Sequence, residues 1–288
     1  MEIINQNLLK FSTIKVKSYA KYFCNVKSIK DIKNAIKFQL SNKLGLVILG
    51  NGSNILFSKD KYDDILFMKL AGDFNFFKIN NNSINIGAAF SLKLAGKKLI
   101  EQGYEDYLFF NLIPASIGGA VTQNAGIGSG QEIKDVCRSI KVYDVQDKCV
   151  KILSKKDCFF EYRNSIIKNV SNRYIVLEAN FIKSNKTKDV NFLINKNKAM
   201  VKQKISREPV GYTFGSTFIN GKTSAWEYVS VVKEKLKVNS HVFFSDKHNN
   251  WIVNIDASGE DIVKIIRETQ KLVKQEFNYD LENEVKII

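Results

Sequence analysis

A six-residue run, Leu49-Gly50-Asn51-Gly52-Ser53-Asn54, constrains this chain more than any other feature. Two glycines around an asparagine permit left-handed backbone, and consecutive N–H groups in such a loop form a cup that suits an anion. In doubly wound α/β proteins a loop of this kind runs next into a helix whose N-terminus holds the phosphate. Here Leu44–Leu49 leads in as a short apolar strand, and Ile55–Phe57 resumes as a strand instead of a helix. Either the nest of amides holds an anion without a helix dipole, or the run is a tight turn between two strands. Alone, the loop leaves both readings open.

A second loop shifts the balance. Leu112–Gly130 carries Pro114 and five glycines, Gly118, Gly119, Gly126, Gly128 and Gly130. A hairpin turn needs no such partner, and long ordered loops without secondary structure are usually functional. Around these loops the pattern alternates. Ser28 with Asp31 three residues on predicts a helix start, and Ile29, Ile32, Ile36 and Leu40 predict its apolar face. Strands are predicted at Ile65–Leu70, Ser83–Ala89, Ile140–Asp144 and Tyr174–Ile182, and a helix at Leu92–Gln102. After about residue 185 the texture changes. A helical pattern spans Asp189–Arg207, and Ser224-Ala225-Trp226-Glu227 reads as a capping box opening a helix with Trp226, Val229, Val232 and Leu236 available to pack. Trp251–Ile255 reads as a strand, Ser258 starts a last helix, and Leu281–Ile288 ends the chain as a short strand. The class is α+β in two parts.

Composition removes several functions. With 44% apolar and 25% charged residues the chain is globular, and no apolar run is long enough to span a bilayer. The N-terminus lacks the basic start and apolar stretch of a secretory signal, which predicts a cytoplasmic protein. Cys24, Cys137, Cys149 and Cys158 form no C-x-x-C pair, and only His241 and His248 are present, so no metal site is expected. The net charge of +15 comes from scattered lysines without a basic run or interleaved aromatics, so nucleic acid is not the expected partner. A share of that charge would still attract a phosphorylated substrate.

Six motifs then resemble, in order, those of the UDP-N-acetylenolpyruvoylglucosamine reductase (MurB) family. Leu49–Leu56 is similar to its L-G-x-G-S-N-x-L signature. Ile113-Pro114-Ala115-Ser116-Ile117-Gly118-Gly119-Ala120-Val121 with Asn124-Ala125-Gly126 is similar to its I-P-G-S-x-G-G-A-V…N-A-G loop. Tyr162-Arg163-Asn164-Ser165 resembles Y-R-x-S, and Gly215–Asn220 resembles G-S-x-F-K-N. Lys247–Asn254 resembles K-H-x-N-F-I-V-N, and Leu281–Val285 resembles L-E-x-E-V. The chain departs from the pattern at Lys15–Ser18, where a T-x-x-x-I/V stretch and a glycine pair are usual. It also departs at Ala115 for glycine, Ile219 for lysine and Gly221 for proline. The short span from Arg163 to Ser216 resembles the second subclass, without a tyrosine-bearing insertion.

The resemblance implies a PCMH-type (vanillyl-alcohol-oxidase-like) flavin fold over residues 1–185, in subdomains of about 1–75 and 76–185. A substrate domain would follow at 186–288, its last strand returning to the active site. It implies FAD and NADPH as cofactors, and reduction of the enolpyruvyl ether of UDP-N-acetylglucosamine to UDP-N-acetylmuramate for peptidoglycan. The expected cofactor contacts are Leu49, Gly50, Asn51, Gly52, Ser53, Asn54, Ile113, Pro114, Ala115, Ser116, Gly118, Gly119, Ala120, Asn124, Ala125 and Gly126.

An enol ether is electron-rich, so its reduction needs a cation at the carboxylate and a proton donor for the carbon beside it. Arg163, a planar permanent cation, suits the first task. By resemblance Ser216 supplies the proton, and Glu284 acts with Arg163 on the enolate-like intermediate, which predicts a shifted proton affinity at Glu284. Tyr162, Arg207 and Asn220 are the expected substrate contacts. A monomer acting on small molecules is expected, with neither membrane nor nucleic acid as partner. An FAD-linked oxidase of the same fold with another substrate is the enzymatic alternative, and a basic nucleic-acid-binding protein on a degenerate flavin fold is the non-enzymatic one.

Overall fold

A computed structural model describes residues 1–128, 130–170, 172–184, 188–236 and 240–288. The chain forms two compact units. The first comprises Met1–Ile4, Tyr22–Asn51 and Asp64–Lys202, and the second Asn5–Lys21, Gly52–Asp63 and Gln203–Ile288. The division expected between residues 185 and 186 falls on residues outside the described ones.

In the first unit, Gly45–Leu49 pairs in parallel with Ile65–Lys69. The helix Ile29–Ser41 starts as expected, with the Asp31 N–H donating to Ser28 Oγ at 3.2 Å. Its apolar face is narrower than predicted. Ile32, Ala35 and Ile36 are buried, whereas Leu40 is 59% exposed, because at 100° per residue it lies roughly 80° round the helix from Ile32.

A five-stranded antiparallel sheet runs Phe77–Ile79, Ser83–Gly87, Tyr174–Ile182, Cys137–Asp144, Cys149–Ser154. Its central strand has three successive buried residues because both faces are covered. Ile175 and Leu177 join a core with Cys24, Ile32, Leu46 and Met68. Val176, Ala179 and Phe181 join another with Ile86, Leu92, Phe110 and Ile117. A bulge at Leu177, where the register jumps between Val176 and Glu178, keeps both sets inward.

The stretch Leu112–Gly130, expected to be free of secondary structure, contains a short helix at Ile117–Thr122. Ser116 caps it by accepting the Gly119 N–H, and Ile117, Ala120 and Val121 are buried beneath it. Burial overrides the poor helix propensity of two adjacent glycines. Ile117 and Gly118 N–H groups donate to the Phe90 and Ala88 carbonyls, which ties the helix start to the preceding segment.

The second unit packs the helices Ala225–Val232 and Gly259–Phe277 with Ile14, Val16, Leu56, Phe218, Ile252, Leu281 and Val285 in one core. Val242–Phe244 pairs antiparallel with Ile252–Asn254, and Lys286–Ile287 pairs parallel with Ile55–Leu56. The predicted terminal strand is thus confined to two residues of ladder. The capping box at Ser224 is not formed: the Ala225 N–H donates to Asn220 Oδ1 instead. Trp226 is 45% exposed and stays off the core, while Val229 and Val232 are buried. At Ser258 the expected cap is present, with Oγ accepting the Asp261 N–H. No helix among the described residues is long and apolar enough to cross a membrane. Cys24, Cys137 and Cys158 are buried free thiols and Cys149 is an exposed one.

Candidate active site

The expected site residues fall into two sets, one in each unit. In the first unit the two glycine loops meet. A Cβ on Gly50 would lie 2.6 Å from Ser116 Oγ, so a larger residue there would have to displace the hydroxyl that accepts the Gly119 N–H. Asn51 Nδ2 faces the Pro114 carbonyl at 3.5 Å, the limit of a hydrogen bond. Leu49 is buried at the end of its parallel strand, and Ile113 packs at the edge of the core. Lys69, which sequence gave no reason to select among so many lysines, lies opposite Leu49 in that ladder and donates from Nζ to the Gly50 carbonyl at 2.7 Å. Burial holds its ammonium below the ordinary lysine value.

The second loop also carries a polar cluster. Asn124, expected at the cofactor, is buried in left-handed backbone with φ 43°. Its Nδ2 donates to Glu132 Oε2 at 3.0 Å and to the Glu161 carbonyl at 2.8 Å, and its Oδ1 accepts the Lys134 N–H at 2.9 Å. Its side-chain hydrogen bonds are made inside the protein, so the amide acts as a brace for the loop. Gly126 is likewise a packing glycine, since a Cβ would press on the Gln131 carbonyl at 2.5 Å. Its own carbonyl accepts from Arg163 Nη2 at 3.2 Å. Arg163 has φ 55°, and its guanidinium lies 4.9 Å over the Tyr162 ring and 3.8 Å from Glu132 Oε1. Tyr162, at 44% exposure, is therefore a platform for the arginine and not a core residue.

In the second unit Gly52 has φ 70°, and a Cβ there would collide with the Phe11 carbonyl. Tight chain packing accounts for that glycine. Asn54, expected at the cofactor, donates from Nδ2 to the Glu284 carbonyl at 3.0 Å, and its own carbonyl accepts the Lys286 N–H. Ser216 and Glu284 are brought onto neighbouring extended segments. The Glu284 N–H donates to the Thr217 carbonyl at 2.8 Å, and the Ile219 N–H to the Glu282 carbonyl at 2.9 Å. On its other side the serine loop forms a bridge from Ser216 to Trp251.

Asn250, buried in the histidine-bearing motif, fixes this loop. Its carbonyl accepts the Thr217 N–H, its Oδ1 the Phe218 N–H, and its Nδ2 donates to the Phe218 carbonyl. The motif was visible in sequence, but this clamping role was not. Arg207 is exposed at the end of the helix Val190–Arg207, and Asn220 holds the start of the next helix through Oδ1.

Residues 20–152 match the model of an FAD binding domain, and residues 206–288 match UDP-N-acetylenolpyruvoylglucosamine reductase, C-terminal domain. A UDP-N-acetylenolpyruvoylglucosamine reductase of Francisella tularensis is 30% identical over 98% of this chain and 98% of its own length. The chain belongs to the UDP-N-acetylenolpyruvoylglucosamine reductase family. A relative of the same name from Clostridium novyi is also 30% identical, covering 100% of this chain and 92% of that relative. The crystal structure of the Thermus caldophilus reductase superposes with a TM-score of 0.80 at 24% identity over 100% of this chain and 99% of that one. A Physcomitrella patens BBE-like protein shares the fold at a TM-score of 0.56 and 12% identity, over 90% and 81% of the two chains.

As a family member the chain is an oxidoreductase with a PCMH-type FAD-binding domain. The first unit's residues fit the dinucleotide: glycine backbones at Gly50 and Gly119 line the meeting of the loops, and the Lys69 ammonium lies beside them. Gln123 Nε2, at the end of the short helix, is buried without a hydrogen-bond partner among the described residues, which suits a donor awaiting a polar ligand.

Proposed function

We propose that this chain reduces UDP-N-acetyl-3-O-(1-carboxyvinyl)-glucosamine to UDP-N-acetylmuramate with NADPH, as a step of peptidoglycan precursor synthesis. The observation that carries this reading is the full-length match to reductases of that name, together with the FAD-binding domain. FAD, when bound, supplies hydride transfer from NADPH to the enolpyruvyl group. Leu49, Gly50, Asn51, Gly52, Ser53 and Asn54, with Ile113, Pro114, Ala115, Ser116, Gly118, Gly119, Ala120, Ala125 and Gly126, form its loops, and Asn124 braces them.

The chain's own work concerns charge and protons. Arg163 binds the substrate carboxylate and withdraws electron density from the double bond, which makes its distal carbon accept a hydride. Ser216 gives its hydroxyl proton to the carbon beside the carboxylate. A serine is a weak acid, so its placement matters more than its pKa, and the ladder from Thr217 to Glu284 supports that placement. Glu284 acts with Arg163 to steady the charge that develops on the substrate, a task that calls for its carboxyl to be protonated or paired. Arg207 and Asn220 contact the UDP-sugar, and Tyr162 backs Arg163. The proposal includes a cytoplasmic monomer that binds no nucleic acid, divided near residues 185 and 186 into flavin and substrate domains.

The test uses the yellow protein under anaerobic conditions. NADPH should bleach the flavin, and adding the enolpyruvyl-UDP-sugar should restore the colour with formation of UDP-N-acetylmuramate. Bleaching without return of colour would remove the substrate assignment. A colourless protein that shifts DNA in a salt-sensitive way would remove the enzymatic reading altogether.

A further inference from the structure

Arg163 is held by a side-chain network that the motif matches do not mention. Its residue sits in a left-handed turn at φ 55°, closed by hydrogen bonds in both directions between Glu161 and Asn164. The Arg163 side chain is only 14% exposed, and that of Glu132 9%. A guanidinium so far removed from water needs a counter-charge. Glu132 Oε1 supplies one at 3.8 Å, while Oε2 takes Lys134 Nζ at 2.7 Å and Asn124 Nδ2 at 3.0 Å.

Asn124 joins both ends of this arrangement. One N–H of its amide fixes the Glu132 carboxylate, and the other fixes the Glu161 carbonyl in the turn that carries Arg163. The carboxylate and the arginine are therefore referenced to the same buried amide. The Glu132 contact is long and made by one oxygen, and the closer Lys134 draws on the same carboxylate. Such a partner orients and partly neutralises the guanidinium without the two-point grip that would retire it from binding another carboxylate.

We propose that Glu132, fixed by Asn124, is the positioning residue that aims Arg163 at the substrate carboxylate. The proposal rests on the function above and adds to it a residue that does not touch the substrate. Glu132→Gln keeps the volume and one acceptor oxygen but removes the charge. A misplacement of the order of 1 Å at a catalytic group costs up to about 100-fold. Glu132→Gln holoenzyme should therefore reoxidise its flavin with the enolpyruvyl-UDP-sugar about 10- to 100-fold more slowly. Its flavin content and rate of bleaching by NADPH should stay near those of the unmodified protein, while its melting temperature falls because the buried guanidinium and Lys134 lose their counter-charge.

The decisive comparison repeats the change in an Arg163→Ala background, where Glu132→Gln should cost less than about 2-fold more. An equal penalty in both backgrounds, or equal slowing of bleaching and reoxidation, would overturn the positioning role. If Arg163→Ala alone leaves reoxidation intact, the assignment of Arg163 fails instead. Should Glu132→Gln not retain flavin, Glu132→Asp keeps the charge one methylene further back. It should lose less than Glu132→Gln was expected to, again only in reoxidation, and unmodified rates would overturn the proposal.

Discussion

Arg163 and the Ser216–Glu284 pair are held in place by opposite means. Arg163 depends on side chains: an aromatic platform, a buried carboxylate and the amide of Asn124. Ser216 and Glu284 depend on backbone, because neighbouring N–H and C=O groups in their segments bond to each other and Asn250 clamps one flank. A side-chain network can be altered by one substitution without disturbing the path of the chain. A backbone ladder is indifferent to the side chains it displays, so long as the chain path survives. Function and stability should therefore separate differently at the two places.

The largest effect should come from Glu284→Gln. Its N–H bond to Thr217 is untouched by the change, so folding and NADPH-driven bleaching should be preserved. Loss of a group that steadies transition-state charge costs about 10²- to 10³-fold, and stopped-flow reoxidation should fall within that range. Parallel loss in both halves of the reaction would break the contrast.

Asn250→Ala should lower stability and function together. It leaves the buried Phe218 N–H and C=O without their partner, which costs about 2–4 kcal/mol in denaturant unfolding. Reoxidation should fall with it because the serine loop loosens. Unchanged stability would show that the ladder does not need its clamp.

The smallest effect concerns acid. Burial holds His248 below its ordinary pKa, and the ring packs 5.7 Å from Trp251, the residue bridged to Ser216. The folded protein therefore keeps His248 neutral where the unfolded chain would protonate it. Stability from this group is present above about pH 6.5 and declines as pH falls through that value. A thermal melt series from pH 8 to 5 should show that decline, and His248→Gln should flatten it. An unaltered acid limb in the variant would assign the decline to other groups.

Sequence exposed those parts whose periodicity is strong. The central strand Tyr174–Ile182 appears with its predicted bounds, and the helix from Val190 to Arg207 differs by one residue at its start. The helix inside Leu112–Gly130 was hidden because its two glycines argue against helix, and only tertiary burial of Ile117 and Val121 reverses that. The buried 3₁₀ segment Glu105–Leu112 was hidden for another reason: its aromatics, Tyr107, Phe109 and Phe110, follow no helical or strand period. At the site, motifs selected residues but not duties. Asn124 and Asn54 were expected to face a ligand, and their amides bond to the protein itself. Glu132 and Lys69 belong to no pattern that local spacing reveals, since what matters about them is a partner well beyond a helical or strand repeat in sequence.

The second unit is assembled from three separated lengths of chain, Asn5–Lys21, Gly52–Asp63 and Gln203–Ile288. Asn254, from the last of these, donates to the Ile14 carbonyl in the first, 240 positions earlier. During translation the early lengths must wait, their apolar Ile14, Val16 and Leu56 uncovered, until the late one has left the ribosome. The long Asp64–Lys202 stretch of the first unit is complete well before then. The segment that carries Glu284 is made after Gly50 and the helix Ile117–Thr122, so the first unit's loops can meet before the Ser216 and Glu284 segments pair.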